Sequence, residues 1–156
     1  MTSRLAEEIK QTKPFSSVAE EAFLNVARTA EALSGAVAEV FKPYGITGTQ
    51  YNVLRILRGA GEEGLPCSEI GGRMVTRDPD VTRLLDRLER MAYVVRERSS
   101  ADRRVVTSRI TPAGLELLAR LDEPLVQAHE RLLGHMTRDQ LLALIDGLQL
   151  ARDRTG

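Results

Sequence analysis

The feature that most constrains the fold is a short amphipathic run after Asp78 and Pro79. Asp78 is a good helix N-cap, and proline is well suited to the first helical position. The apolar residues that follow have the i, i+3, i+4, i+7 spacing of a helix with one buried face: Val81, Leu84, Leu85 and Leu88. The opposite face carries threonine and arginine. We therefore predict a short helix whose inner face is apolar and whose outer face is polar and basic.

Two stretches rich in β-branched residues follow this helix. They span Tyr93–Arg98 and Arg104–Ile110, and the residues between them are polar or small. A pair of such stretches around a short polar connection predicts a β-hairpin. The tip includes Arg103, so the hairpin presents a positive charge at its end.

Two further short helices are predicted before Asp78. Thr47 and Gln50 form a capping box, which opens the first of these helices and carries it through about Leu57. Pro66 starts the second, which reaches about Met74. Three short helices and a hairpin are the parts of a winged helix-turn-helix. The connection between the first two helices is glycine-rich, with Gly59, Gly61 and Gly64.

Longer helices flank this block on both sides. Residues 16–41 have apolar residues at alternating spacings of three and four, the pattern of one long helix, whereas residues 1–15 form a polar lead-in. After Pro112 a leucine-rich helix runs to Gly134, and Thr137 opens the last helix as part of a capping box. Three apolar stripes exceed what one small core needs, so we expect a second copy of the chain to cover the surplus.

The charge of the chain is zero overall but uneven along the sequence. The 156 residues contain 22 lysines and arginines and 22 aspartates and glutamates. Between residues 73 and 109, ten arginines and six acidic residues leave a charge of +4, so the remainder carries −4. Arginine binds phosphate groups and guanine edges through two parallel hydrogen bonds. The neutral total is therefore compatible with DNA binding, and we expect a selective protein that binds non-specific DNA weakly.

The composition disfavours several classes of protein. No stretch approaches the roughly 18 apolar residues of a membrane span, and Glu7 and Glu8 stand where a signal peptide would have its apolar core. The one cysteine, Cys67, suits a reducing compartment, so we expect a cytoplasmic protein with no membrane partner. His129 and His135 are six residues apart, and no cluster has the spacing of metal ligands. We expect neither an enzyme nor a protein with a metal or cofactor.

The predicted parts suit the reading of DNA. A helix face with arginine and threonine fits the major groove, which is about 12 Å wide. A hairpin tip with an arginine reaches the narrow minor groove beside it, whose negative potential attracts arginine. We therefore expect double-stranded DNA as the partner.

Two segments resemble the multiple-antibiotic-resistance regulator (MarR) family. Asp78–Glu89 is similar to the recognition helix of that family, and Asp102–Val106 followed by Ile110–Gly114 is similar to its wing. The resemblance covers roughly residues 20–150. The wing signature is an aspartate, an arginine two residues on, and the threonine and glycine that open the next helix; it stands here as Asp102, Arg104, Thr111 and Gly114.

The resemblance implies a mainly α-helical fold with a small β-hairpin wing, in one domain over residues 1–156. Residues 47–110 would form the DNA-binding winged helix-turn-helix. Residues 16–42 and 111–153 would be the dimerisation helices, which interleave with those of a second copy. The implied protein is a homodimeric repressor of a pseudo-palindromic operator. A small, phenolic effector would release it from DNA, and the sequence assigns no residue to that effector.

The resemblance and the charge pattern together assign contacts with DNA bases. Thr82, Arg83 and Arg87 are the candidates for the major groove, with Arg83 or Arg87 reading a guanine. Asp80 either accepts a hydrogen bond from a cytosine amine or strengthens the helix cap. Arg103 is the candidate for the minor groove.

The other candidates contact phosphates or hold the wing. Asp102 and Arg104 are predicted to brace the hairpin as an ion pair, and Arg104 is also counted among the DNA-contacting residues. The candidates for phosphate contact are Arg96 and Arg98 on one strand and, more weakly, Ser68 and Arg77.

The sequence departs from the family pattern in two places. Ala92 stands where the family usually has a glycine. Because a Cβ disfavours positive φ, the turn into the wing is expected to be reshaped. Gly71 and Gly72 replace helix-forming residues and are expected to loosen the second short helix.

Two alternative functions remain open. The chain could be a winged-helix adaptor that binds proteins and does not read DNA. It could also be a regulator that senses oxidants through Cys67, which lies beside Pro66 at a helix start where a thiolate is favoured. Arginines at both the helix face and the hairpin tip favour DNA reading over the adaptor, which has no need for both.

Overall fold

The computed structural model describes residues 3–153. Contacts within the chain divide it into two compact units, the first ending at Ala36 and the second beginning at Val37. One long helix, from Val18 to Phe41, contributes residues to both units. The predicted domain over residues 1–156 extends past the described residues at both ends, and its status as one domain stays a prediction.

The first unit contains a short helix, α1 (Arg4–Glu8), and most of the long helix α2 (Val18–Phe41). The predicted polar lead-in over residues 1–15 contains a helix in its described part, which the sequence did not indicate. There, α1 forms and buries two apolar side chains, Leu5 and Ala6. Residues 1 and 2 lie outside the described part of the chain.

Two serines fix the start of α2. Ser17 Oγ accepts a hydrogen bond from the backbone N–H of Glu20 at 3.0 Å, and both the N–H and the hydroxyl of Ser16 donate to the Glu20 carboxylate. These hydrogen bonds from Ser16 hold the pKa of Glu20 below its usual value. The helix therefore begins at Val18, two residues after the predicted start.

The second unit holds the other elements of the described residues. It is mainly helical with a small antiparallel sheet, which confirms the predicted fold class. After the end of α2 come a 3₁₀ helix (Lys42–Tyr44), α3 (Gly48–Ala60), a second 3₁₀ helix (Gly61–Glu63), β1 (Leu65–Pro66), α4 (Cys67–Arg73), α5 (Val81–Arg90), β2 (Val94–Arg98), β3 (Val106–Ile110), α6 (Pro112–Leu133) and α7 (Arg138–Arg152).

Capping boxes start two of these helices as predicted. Thr47 and Gln50 cap α3 reciprocally, and Thr137 and Gln140 do the same for α7. The predicted end of α3 is too early, because the helix continues through Gly59. An exposed helical glycine costs only about 1 kcal/mol relative to alanine, which the buried side chains of α3 offset.

The strands form one antiparallel sheet in the order β1–β3–β2. β2 and β3 are the predicted hairpin. β1 pairs with β3 through Leu65 opposite Ser108, and the sequence did not indicate it because Pro66 resembles a helix start. Gly64 precedes β1 at φ 67°, where a Cβ would come within 2.4 Å of the Ser108 carbonyl oxygen, so the close pairing of β1 requires glycine.

The core of the second unit is built largely from leucines of α3, α5 and α6. The inner face of α5 contributes Leu84, Leu85 and Leu88, as the sequence predicted. An isolated helix of ten residues is not stable in water. Burial of these leucines therefore stabilises α5 and fixes its rotation about its own axis.

The N-cap of α5 is Asp80, so the prediction that Asp78 caps this helix is wrong. Asp80 Oδ1 accepts a hydrogen bond from Arg83 N at 3.0 Å, and its backbone (φ −130°, ψ 66°) lies outside the helical region. Asp78 Oδ1 instead accepts from Asp80 N at 2.8 Å. Of the two roles left open for Asp80, the structure shows the cap. Pro79 consequently precedes the helix.

The turn after α5 is left-handed even though alanine occupies it. Ala92 has φ 64°, its N–H donates to Glu89 O at 2.9 Å, and Tyr93 N donates to Leu88 O at 3.0 Å. These two bonds are those of a Schellman motif. Thr111 Oγ1 also donates to Ala92 O at 2.6 Å. The turn is therefore not reshaped, and the hydrogen bonds hold alanine in a strained conformation.

The guanidinium of Arg96 joins α5 to the hairpin. Its Nη2 lies 2.6 Å from Asp86 Oδ1 and 3.0 Å from Glu89 Oε1, and its backbone N–H donates to Glu89 Oε2 at 3.1 Å. The hydrogen bond with Arg96 holds the pKa of Glu89 below its usual value, and the same bond raises the pKa of Arg96. Two carboxylates of α5 thus fix β2 beside the helix.

We predict that Ala92→Gly stabilises the protein by about 0.5–1 kcal/mol, because glycine adopts positive φ without strain. Urea unfolding of the two proteins measures this difference. The matched control is Ala119→Gly on the exposed face of α6, which should destabilise by about 1 kcal/mol because it lies in a helix. Equal destabilisation by both changes would contradict strain at residue 92.

A pH-dependent contribution from Glu89 is also predicted. Its pKa is lower in the folded chain than the usual 4.5, so its carboxylate stabilises the fold above that pH, and the contribution disappears as the pH falls through the lowered value. Glu89→Gln should therefore destabilise the protein at pH 7 and have little effect at low pH. Unfolding in urea across this range measures it, with Glu116→Gln on α6 as the control. A pH-independent effect of Glu89→Gln would contradict the ion pair.

Candidate nucleic-acid interface

The outer face of α5 is polar and basic. Thr82, Arg83 and Arg87 are exposed, opposite the buried leucines. Arg83 and Arg87 are four residues apart, so they lie one turn apart on the same side of the helix. Arg90 is also exposed and continues this row. It was not among the predicted site residues, although its spacing from Arg87 would have indicated it.

The start of α4 lies beside the start of α5. Cys67 Sγ is 3.7 Å from Thr82 Oγ1. Ser68, the next residue, is exposed in the first turn of α4, and Arg77 is exposed in the loop that leads to α5. The two weaker phosphate candidates thus lie on elements that flank the exposed face of α5.

The tip of the hairpin is organised by short-range hydrogen bonds. Asp102 Oδ1 accepts from both the backbone N–H and the Nε of Arg104, at 3.0 and 3.2 Å. Ser99 N donates to Val105 O at 2.8 Å, which closes the tip. Arg103 lies within this turn and is exposed. A basic side chain therefore extends from a tip that is closed by hydrogen bonds.

The two strand arginines have different surroundings. Arg96 is only 25% exposed at its side chain and is held by the two carboxylates of α5. Arg98 is exposed, and its Nη1 donates to the carbonyl oxygen of Arg103 at 2.9 Å. Arg96 therefore ties the base of the hairpin to α5, and Arg98 supports the tip.

Residues 73–109, which carry the excess of positive charge, form the basic region, and other arginines in it are paired with nearby acids. Arg109 Nη2 lies 2.7 Å from Glu97 Oε1 across the hairpin, and Arg73 Nη2 lies 3.0 Å from Glu69 Oε2 within α4. The charge of Glu97 is already counted in the excess of +4, and Glu69, which lies outside residues 73–109, offsets one further positive charge. The outer face of α5 and the wing tip consequently carry the positive charge that is open to a ligand.

The aromatic residues near the predicted effector junction pack against one another. The rings of Phe41 and Tyr51 are stacked with centroids 4.9 Å apart, and Phe41 is 3% exposed. The guanidinium of Arg120 lies 5.9 Å from the ring centroid of Tyr44, whose hydroxyl donates to the carbonyl oxygen of Arg120. These contacts place the aromatic rings in or against the core.

Neither a metal cluster nor a membrane span is found within residues 3–153. No group of three or more histidine, cysteine, aspartate or glutamate side chains there is arranged to hold a metal ion. The helices in the same range are too short or too polar to cross a membrane.

Comparison with known proteins identifies the family. The family model described as "MarR family" matches residues 44–105. These residues include α3, β1, α4, α5 and β2. The transcriptional regulator TtmR of Methylorubrum extorquens is 36% identical over 124 residues, which are 80% of this chain and 62% of TtmR. The chain spans 62% of the length of TtmR and about half to two thirds of the length of two other curated relatives.

Solved structures share the fold over nearly their whole length. A MarR transcription factor from Planctomyces limnophilus is 41% identical, with a TM-score of 0.68, and the match covers 88% of this chain and 99% of that one. Staphylococcus aureus MepR, solved in a complex with DNA, is 19% identical with a TM-score of 0.74 over 83% of this chain and 94% of MepR. At this identity, the match with MepR shows only that the two proteins share a fold. By sequence and by structure, the chain belongs to the MarR family of winged-helix transcriptional regulators.

Proposed function

We propose that this chain is a transcriptional repressor that binds double-stranded DNA as a homodimer. The observation that carries the proposal is the outer face of α5, where Arg83 and Arg87 are exposed on a helix whose opposite face is fixed in the core. A helix held this way can enter the major groove and present both guanidinium groups to base edges. The DNA complex of MepR supports this proposal.

In this proposal the residues of α5 divide between reading bases and positioning the helix. Arg83 or Arg87 binds the O6 and N7 atoms of a guanine, and Thr82 contacts a neighbouring base. Asp80 caps the helix and orders its first turn by accepting a hydrogen bond from the backbone N–H of Arg83. Arg90, at the far end of the row, reaches a phosphate.

The wing supplies the second contact. Arg103 extends from the tip into the minor groove, and the bond between Asp102 and Arg104 keeps the tip in one shape. Arg98 supports the tip by donating a hydrogen bond to the carbonyl oxygen of Arg103. We assign Arg96 to fixing the wing against α5, because two carboxylates already engage its guanidinium.

Phosphate contacts outside α5 and the wing come from Ser68 and Arg77 in the proposed complex. Both are exposed on elements adjacent to α5. Contacts of this kind fix the register of the protein on DNA without reading sequence. They complete a footprint that begins at α4 and ends at the wing.

A second copy of the chain is expected to cover the exposed apolar side chains of the terminal helices. On α7, Ile145 and Leu150 are 49% and 73% exposed, and on α2, Phe23 is 71% exposed. Leaving large apolar side chains in water is unfavourable, and a symmetric dimer buries the same side chains on both copies. Two copies related by a twofold axis bind a pseudo-palindromic operator.

Family membership supports repression and release by a small, phenolic effector, and the cell cytoplasm is the expected place of action. Release requires that the effector bind a conformation that does not fit DNA more tightly than one that does. Of the other functions considered, the adaptor leaves the exposed Arg87 and Arg103 without a role. Cys67 contacts Thr82, so its oxidation would act at the start of α5.

Removal of one guanidinium tests the proposal. Arg83→Ala or Arg87→Ala should lower the affinity for a duplex selected by the wild-type protein from a random library by about 1–3 kcal/mol and relax its specificity. Arg103→Ala should weaken binding more evenly across sequences. Binding titrations measure both, with Arg131→Ala on α6 as a control for loss of one positive charge. Wild-type affinity in Arg83→Ala, Arg87→Ala and Arg103→Ala would show that DNA is read elsewhere or not at all.

A charged residue on α7 tests the dimer. Ile145→Asp places a carboxylate in the exposed apolar face and should convert the dimer into a monomer, with a loss of affinity for the selected duplex. Sedimentation velocity measures the mass. Val105→Asp in the wing, which also replaces an exposed valine, should leave the mass unchanged. A wild-type monomer, or a dimer that persists in Ile145→Asp, would contradict this interface.

A further inference from the structure

The loop between α4 and α5 spans residues 74–80 and leads directly into the proposed DNA-reading face. The turn of a helix-turn-helix usually has three or four residues, so this connection is long. Val75, near its start, has a side chain that is 81% exposed. Packing of that side chain therefore does not hold the loop in place.

The loop begins at Met74, which is buried in the core at 8% exposure, and a buried amide on α3 holds the backbone of the next residue. Asn52 is 8% exposed and stands directly before Val53 and Leu54, which are fully buried. Its Oδ1 accepts a hydrogen bond from Val75 N at 2.8 Å. The loop is thereby fastened to the most buried helix segment of the winged region.

The far end of the loop is tied to α5 by two further side-chain bonds. Asp78 Oδ1 accepts from Asp80 N, and Asp80 Oδ1 accepts from Arg83 N. The loop is therefore ordered at its start by Asn52 and at its end by the two aspartates. Thr82 and Arg83, which follow in the first turn of α5, belong to the proposed reading face.

Asparagine is a costly choice at this position unless its hydrogen bond is needed. It is a weaker helix former than leucine, and burial of an amide is unfavourable when the amide has no partner. An apolar side chain at this position would accept no hydrogen bond from the loop. The amide instead supplies one acceptor at a fixed place, 23 residues away in sequence from the N–H that it binds.

We infer that Asn52 is a positioning residue for DNA recognition: its buried amide fixes loop 74–80, and the loop fixes the first turn of α5. The inference rests on the proposed function. Asn52 need not touch DNA, because it acts through the backbone of Val75. Its loss leaves the arginines and their charges in place and releases the geometry in which they meet base edges.

The test compares Asn52→Leu, which removes the acceptor, with Asn52→Asp, which keeps an oxygen at the same place. Amide hydrogen exchange measures the order of residues 74–80. Binding is measured on two probes, a duplex selected by the wild-type protein from a random library and an unselected random duplex. Ser108→Ala is the control, because Ser108 is 1% exposed and lies in the sheet.

Asn52→Leu should accelerate exchange at Val75 and along the loop and leave exchange at Leu85 and Leu88 unchanged. Affinity for the selected duplex should fall about three- to tenfold, the range expected for one lost hydrogen bond. Affinity for the random duplex and its salt dependence should stay the same, because they depend on phosphate contacts. Asn52→Asp should restore loop protection and part of the selectivity, and Ser108→Ala should not change the ratio of the two affinities.

Unchanged exchange in Asn52→Leu would overturn the inference, as would an equal loss of affinity on both probes, which indicates a general loss of folded protein. If Asn52→Asp fails to fold, exchange and binding of Asn52→Leu still decide the question. If the wild-type protein binds neither probe, the proposed function fails, and with it the role of Asn52 in recognition. The exchange measurement then reports only whether Asn52 anchors the loop.

Discussion

Burial of the three leucines of α5 is the constraint on which the rest of the structure depends. A helix this short has no stability of its own, so its position comes from Leu84, Leu85 and Leu88 in the core. The same burial turns Arg83 and Arg87 outward. The binding face is thus a consequence of packing on the opposite side of the helix, and any change that loosens this packing also loosens the face.

The arginines of the basic region perform two separate tasks. Arg96 is held by carboxylates of α5 and ties the hairpin to that helix, whereas Arg109 pairs with Glu97 within the hairpin. Arg83, Arg87 and Arg103 are exposed at the helix face and the wing tip. The positive charge that is open to a ligand is therefore concentrated at the outer face of α5 and the wing tip, which the excess of +4 over the whole region does not show. A neutral protein with this arrangement depends on local fit more than on a long-range field.

Local signals explain which features the sequence predicts. The capping boxes at Thr47 and Thr137, the leucine spacing of α5 and the hairpin strands each depend on residues close together in the chain. Asp80 caps α5 in place of Asp78, and Asp86 and Glu89 bind Arg96. In each case the sequence contains several possible partners and does not show which of them forms the bond. β1 exists only because β3 pairs with it. Tertiary contacts decide all three.

The left-handed turn at Ala92 is a further feature that depends on contacts between residues and not on local preference. Conformational preference alone argues against Ala92 in this turn, yet two backbone hydrogen bonds and the hydroxyl of Thr111 hold it there.

The most direct measurement of the central claim is binding to a random-sequence DNA duplex at about 50 and 200 mM salt. Arginines that meet phosphates release counterions, so the logarithm of the affinity should fall with the logarithm of the salt concentration, with a slope of about −0.9 for each phosphate contacted. A steep loss of affinity is the result predicted for a winged helix that binds DNA with arginines such as Arg77 and Arg90 against phosphates. Binding that does not change with salt, or no binding at either concentration, would contradict it.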